Sequence, residues 1–279
     1  MSRATLALIL IAARCAWCGD HDFGPVAPQP LPALTATRHD GARVQLREVF
    51  HGHSTAVQFV FTQCRTACPL LGGLFAKVDR DPSQIRLVSI SVDPANDTPE
   101  RLQAWLRTYR ASPRWTALRV AEKDLKPLLD AFGLKAGAPA AHSMQAFLVD
   151  DQERFVNRTT AMPSAAEVLR MTGLARAGNE PVDSSFARCA NCHGDDFRGG
   201  REGSTVAPPL TRRALLSALS RRGGPPSAYT EESFCIALRS GVDPAGVVFS
   251  NLMPRFDLDP ASCSALWQRA TNLEALIRR

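Results

Sequence analysis

Thr55-Ala56-Val57-Gln58-Phe59-Val60-Phe61-Thr62-Gln63-Cys64-Arg65-Thr66-Ala67-Cys68-Pro69 decides the fold of the first half of this 279-residue chain. Thr55 to Thr62 is a continuous run of buried-strand type, and a turn leads from it to a helical stretch predicted over Leu70 to Val78. Ile85 to Val92 reads as a second strand of the same kind. Asp97-Thr98-Pro99-Glu100 supplies an N-cap and an early-helix proline for a helix from Pro99 to Arg110, with Leu102, Trp105, Leu106 and Tyr109 at helical spacing. A further helix from Lys123 to Phe132 ends at Gly133. Met144 to Asp150 with Arg154 to Asn157 reads as a closing hairpin, and Ser164-Ala165-Ala166-Glu167 as a capping box for the last helix of the unit. Strands alternating with helices, then a hairpin and a helix, imply a three-layer α/β domain of thioredoxin-like type.

The chemistry of that domain is expected where the first strand gives way to a helix, at Cys64 and Cys68. Two cysteines four apart at a helix N-terminus share one side of the first turn, and the helix dipole there favours the thiolate. Such a pair forms a redox-active dithiol. It is also a soft site suited to Cu(I), and one added imidazole extends it to Cu(II). His142, in the loop before the strand at Met144, is the candidate third ligand. A resting disulfide and a metal-free redox dithiol remain open beside the copper reading. His51 and His53 read as surface residues.

Phe61-Thr62-x-Cys64-x-x-x-Cys68-Pro69, then Ser91-Val92-Asp93-Pro94-x-x-Asp97-Thr98-Pro99-Glu100, then His142-Ser143 before Phe147-Leu148-Val149-Asp150 form an ordered set. It resembles the SCO/SenC family of copper-binding assembly factors for cytochrome c oxidase, over roughly Pro30 to Gly173. The resemblance implies a thioredoxin-like fold and one copper ion held by Cys64, Cys68 and His142. It also implies a role in maturing the copper subunit of the oxidase or another cuproprotein. Asp93 and Asp97 are candidates to support the site, Asp97 alternatively as a helix cap. A fused second domain and the lack of the usual transmembrane anchor depart from the family pattern.

That second domain declares itself at Cys189-Ala190-Asn191-Cys192-His193, the C-x-x-C-H spacing that attaches one haem c covalently through Cys189 and Cys192 and ligates its iron through His193. No histidine follows His193, and Met253 is the one later methionine, so Met253 is the expected second axial ligand. His/Met ligation gives a high-potential electron-transfer haem. Ala207-Pro208-Pro209-Leu210 and Met253-Pro254-Arg255-Phe256 make residues 180 to 279 resemble the small class-I cytochromes c, which implies an all-α domain. Asp259-Pro260 starts its final helix with an N-cap and a proline at N1. Cys235 and Cys263 are spaced for neither haem nor zinc, and in an exported chain they are expected to form a structural disulfide.

Met1-Ser2-Arg3 followed by the apolar run Ala4 to Ala13 reads as a signal peptide, too short for a bilayer span of about 20 residues. Cys18 is a candidate lipidation site at its end, so residues 1–18 are a signal peptide or lipoprotein leader. Pro25 to Pro32 reads as a leading linker. The expected division is a copper-binding domain at 25–176 and a cytochrome domain at 181–279, exported to the bacterial periplasm, where haem attachment and disulfides belong. With 45% hydrophobic and 22% charged residues the composition is globular, and the net charge of +6 comes from dispersed arginines with few aromatics. Nucleic-acid binding is therefore not indicated. Three function classes follow: a copper metallochaperone with built-in electron transfer to redox partner proteins, a thiol-disulfide oxidoreductase or peroxidase-like enzyme, and an electron shuttle whose first domain only docks a partner.

Overall fold

The computed structural model describes residues 24–83, 85–134, 143–173, 184–194, 196–202, 205–250 and 252–277. The leader, the candidate lipidation site Cys18, His142 and the boundary near residue 180 lie outside them.

The first unit runs β1 (Gly24–Pro30), β2 (Thr35–Arg38), β3 (Arg43–Gln45), α1 (Leu46–Phe50), β4 (Thr55–Val60), α2 (Ala67–Arg80), β5 (Arg86–Ser91), α3 (Pro99–Thr108), β6 (Trp115–Val120), α4 (Glu122–Ala131), β7 (Phe147–Val149), β8 (Arg154–Arg158) and α5 (Ala165–Met171). The strands form a sheet in the order β1-β8-β7-β4-β5-β6-β2-β3. β4, buried along its whole length, has β5 parallel on one side and β7 antiparallel on the other. A central strand feeding a helix, flanked by a parallel strand and by the first strand of a hairpin, is the thioredoxin-like arrangement.

Two apolar clusters make the three layers. On one face α1 and α4 bring Phe50, Leu128 and Phe132 against Phe59, Phe147 and Phe155, with Phe59 and Phe132 edge to face at 5.1 Å. On the other, α2, α3 and α5 bring Phe75, Trp105, Tyr109 and Val168 into one cluster with Trp115, whose ring lies 5.9 Å from those of Phe75 and Tyr109. Alternating side chains send a strand's residues to both faces, so a strand covered twice reads as one apolar run. Gly72 lets α2 meet α3, because a Cβ there would lie 2.3 Å from the Tyr109 ring.

Three sequence expectations need correction. Residues 24–30 are an edge strand paired with β8, not a linker. Their prolines are tolerated because an edge strand leaves one side unpaired and a bulge interrupts the ladder between Pro25 and Gln29. The capping box at α5 is only half made: Ser164 Oγ accepts from Glu167 N, but the Glu167 carboxylate turns to Thr160 N and Oγ1, each at 2.8 Å.

The third correction concerns the second unit, which comprises α6 (Ser184–His193), β9 (Gly200–Glu202), β10 (Thr205–Ala207), α7 (Arg212–Leu216), α8 (Glu231–Ser240) and α9 (Pro260–Ile277). It is not all-α, since β9 and β10 pair antiparallel. Gly199, at φ +84, opens that hairpin where a Cβ would lie 2.8 Å from Ala207 O. Asp259 Oδ1 accepts from Ser262 N at the start of α9, and a disulfide between Cys235 and Cys263 fastens α8 to α9 with Cα atoms 5.9 Å apart.

The two units pack together through α6, which lies against α2 and α5. Lys77 Nζ on α2 donates to Ala190 O at 2.8 Å, and Asn191 Nδ2 donates to Pro163 O at 2.8 Å.

Candidate functional site

Cys64 and Cys68 are free thiols, and both are buried at the junction of β4 and α2. Cys68 is the second residue of α2, so its backbone N–H has no partner within the helix. Cys64 Sγ accepts that N–H at 3.3 Å, taking the place of a capping oxygen, and Thr66 Oγ1 lies 3.7 Å from the same sulfur in hydrogen-bonding geometry. The Cys68 thiol and these donors pull Cys64 down to about 4, well inside the thiolate range at neutral pH. Donating to Cys64 and burial push Cys68 upward. The pair is therefore asymmetric, one sulfur anionic and one protonated, and both become soft donors when a cuprous ion displaces the proton.

The turn between β4 and Cys64 is anchored by Asp97. Its carboxylate accepts Thr62 N at 3.1 Å, Thr62 Oγ1 at 2.5 Å and Ser91 Oγ at 2.6 Å, and the residue is fully buried. The cap of α3 is Thr98 instead, whose Oγ1 accepts from Arg101 N. Asp93 stays at the edge of this network, accepting from Asn96 and donating its N–H to Ser91 Oγ. Among the described residues no group of three or more His, Cys, Asp or Glu converges to hold a metal ion. The dithiol supplies two donors of the kind Cu(I) takes, and the third expected one, His142, lies outside the described residues.

The second cluster lines a cavity of about 410 Å³ whose walls include Cys189, Cys192, His193, Pro208, Tyr229, Phe234, Leu238, Met253 and Phe256. Both thiols and both expected axial ligands thus face one largely apolar space. His193 is buried, and its Nδ1 lies 2.6 Å from Pro208 O. A carbonyl only accepts, so Nδ1 carries the proton and Nε2 keeps its lone pair for a metal. Burial lowers the His193 pKa and keeps the ring neutral. Burial also raises Cys192 and pushes Cys189 up to about 12, the reverse of Cys64. The residues fit a covalently held haem: two adjacent thiols, a neutral imidazole with a fixed tautomer, a thioether and an apolar lining.

The sequence marked the cysteine pairs 64/68, 189/192 and 235/263 and the Ala207–Leu210 stretch, whose Pro208 carbonyl the structure sets against His193. Sequence reasoning missed Thr66 at Cys64, Lys77 at the Cys189–His193 motif, and Met162, which reaches the second cavity from the first unit. None of these belongs to a spacing pattern, so no sequence signal marks them.

A model of the family described as SCO1/SenC matches residues 31–173. The SCO1 protein homolog of Bacillus subtilis is 31% identical over 99 residues, covering 34% of this chain and 51% of that protein. The chain thus spans about half the length of that curated relative. The crystal structure of a SCO1/SenC family lipoprotein from Bacillus anthracis aligns with a TM-score of 0.47 at 22% identity, covering 55% of this chain and 98% of that one. Yeast Sco1 with copper bound aligns with a TM-score of 0.45 at 15% identity, covering 57% and 98%.

Proposed function

Because the chain belongs to the SCO1/SenC family, we propose that it is a copper metallochaperone for the copper subunit of cytochrome c oxidase or another exported cuproprotein, with a fused haem c domain that exchanges electrons with its dithiol. The observation that carries the copper half is the pair of buried free thiols at the start of α2, one of them held as a thiolate by the N–H and S–H of Cys68. Cys64, Cys68 and His142 are the ligands of one cargo ion. Asp97 fixes the turn that presents Cys64, and the buried setting shields the ion from water. Release needs only ligand exchange with a partner's thiolates or imidazoles, since copper enters and leaves by swapping soft donors.

The haem half rests on Cys189, Cys192, His193 and Met253 lining one cavity. Cys189 and Cys192 would form the thioether links, and His193 and Met253 the axial bonds. A His/Met haem supplies a one-electron centre well above the roughly −120 to −270 mV of protein dithiols, and so acts toward them as an acceptor. The chain's own contribution is to dock the attachment helix on α2. Lys77 lies about 14 Å along that helix from Cys68, which supports exchange within one molecule.

Haem attachment, the Cys235–Cys263 disulfide and the leader support export to an oxidising periplasm, with Cys18 as a lipid anchor. Among the described residues no helix is long and apolar enough to cross a membrane. A second reading, a thiol-disulfide oxidoreductase draining electrons into the haem, is favoured by the asymmetry of the dithiol, an anionic nucleophile beside a protonated partner.

Cu(I) titration of the reduced chain decides between them. One tight equivalent, lost in Cys64→Ser, Cys68→Ser and His142→Ala, is expected of the chaperone. Disulfide reduction that persists in His142→Ala, with no copper retained by the parent chain, replaces it with the oxidoreductase.

A further inference from the structure

Met162 is a residue of the first unit, yet its side chain lines the cavity that holds Cys189, Cys192, His193 and Met253. It stands at φ +54, a left-handed backbone that a bulky non-glycine residue adopts only when its surroundings hold it there. The surrounding bonds do so. Met162 N donates to Met144 O at 3.0 Å, Thr159 N donates to Ala146 O at 2.9 Å, and Thr159 Oγ1 accepts Ala146 N at 2.9 Å. The next residue, Pro163, offers its carbonyl to Asn191, one of the two residues between the haem-attachment cysteines. Thr160 Oγ1 accepts from Arg188, which precedes that motif and also lines the cavity.

We propose that Met162 is a haem-contacting residue supplied by the copper-binding domain, so that the haem crevice is composite and closes only when the 159–163 loop is seated on the attachment helix. This rests on the haem reading above. Lys77 completes the seat. Ala190 O lies in the last turn of α6 and already accepts from Gly194 N at 3.1 Å, so the Lys77 ammonium takes its second lone pair, close to the negative end of the helix dipole. The same loop reaches the dithiol side: Met144, to whose carbonyl Met162 is bonded, packs against the core that contains Cys64 and Cys68. The first domain is then part of the haem pocket's wall and sets how much water the haem edge meets.

The test uses the full chain with covalent haem attached, and follows the rate at which added cyanide ligates the ferric haem, together with the haem midpoint potential. Met162→Ala is expected to speed cyanide entry several-fold and to lower the midpoint, as a wetter haem favours the charged ferric state. Met162→Leu, apolar and of similar size, is expected to restore both. Lys77→Met is expected to speed cyanide entry in the same direction as Met162→Ala by loosening the seat. Haem present, with Met162→Ala and Lys77→Met both indistinguishable from the parent chain, overturns this proposal and leaves the haem reading standing. A parent chain that acquires no covalent haem in a host able to attach it overturns the haem reading and this proposal with it.

Discussion

The buried carboxylate of Asp97 accepts both the backbone N–H and the hydroxyl of Thr62, at 3.1 and 2.5 Å, and so ties the end of β4 to the segment that starts α3. Thr62 is two residues before Cys64. The position of the first cysteine is thereby fixed by a residue distant in sequence, through a charge-assisted pair stronger than a neutral one.

Asp97→Ala should lower the stability of the reduced protein by about 2–4 kcal/mol, because it removes an ionised acceptor and leaves Thr62 N and Ser91 Oγ short of partners in the interior. Urea unfolding measures this. A change below about 0.5 kcal/mol, the usual size for an inert surface site, would show that the network is not needed to hold the turn.

Local signals made much of this legible. The apolar run before Cys64 could only be a doubly covered strand, and Thr98-Pro99 and Asp259-Pro260 marked true helix starts. Where the sequence misled, a non-local partner had overridden a local preference. Asp97 looked like a cap, but Thr62 and Ser91 compete for its carboxylate and Thr98 caps instead. Prolines in Gly24–Pro30 argued for a linker, yet the open edge of β8 accepted the segment. Trp115–Val120 carries no clean alternation because β6 is packed on both faces, so periodicity does not mark it as a strand. The docking of the two units was invisible for the same reason: Lys77 and Ala190 are joined by tertiary packing and by no pattern.

Closing the disulfide constrains a loop with a sequence separation of 28 residues. Chain entropy assigns such a loop about 3.5 kcal/mol. Cys235→Ser with Cys263→Ser should therefore lower the thermal midpoint of the second unit and leave that of the first nearly unchanged, a split readable by calorimetry. Equal loss in both transitions would mean that the units unfold as one.

Were the cavity to hold the proposed haem, Met253 would supply an iron ligand beside His193, since both line it. In the haem-bearing chain, Met253→Ala should abolish the absorption signature of thioether ligation and lower the midpoint potential, while covalent attachment through Cys189 and Cys192 persists. A spectrum and potential unchanged by that substitution would assign the sixth position to another group, and Met162, which lines the same cavity, would be the next to replace.

The pH dependence of the dithiol follows from the direction of its two shifts. In the reduced, copper-free chain Cys64 is drawn from 9.0 down to about 4, chiefly by the Cys68 S–H and N–H, while Cys68 moves upward. A group depressed on folding contributes stability that is complete above its unfolded value and is lost as pH falls through its folded one. Reduced protein should therefore lose stability progressively between about pH 9 and pH 4 relative to Cys64→Ser, which has no thiolate to lose. Alkylation should show the same ordering. At pH 6 a small iodo reagent should modify Cys64 and spare Cys68, because the thiolate is the nucleophile and only one sulfur bears the charge. Mass mapping that finds Cys68 modified first would place the anion on the wrong sulfur, and both cysteines inert until pH 8 would mean neither carries it; either result removes the electrostatic argument for a preformed soft-metal site at the start of α2.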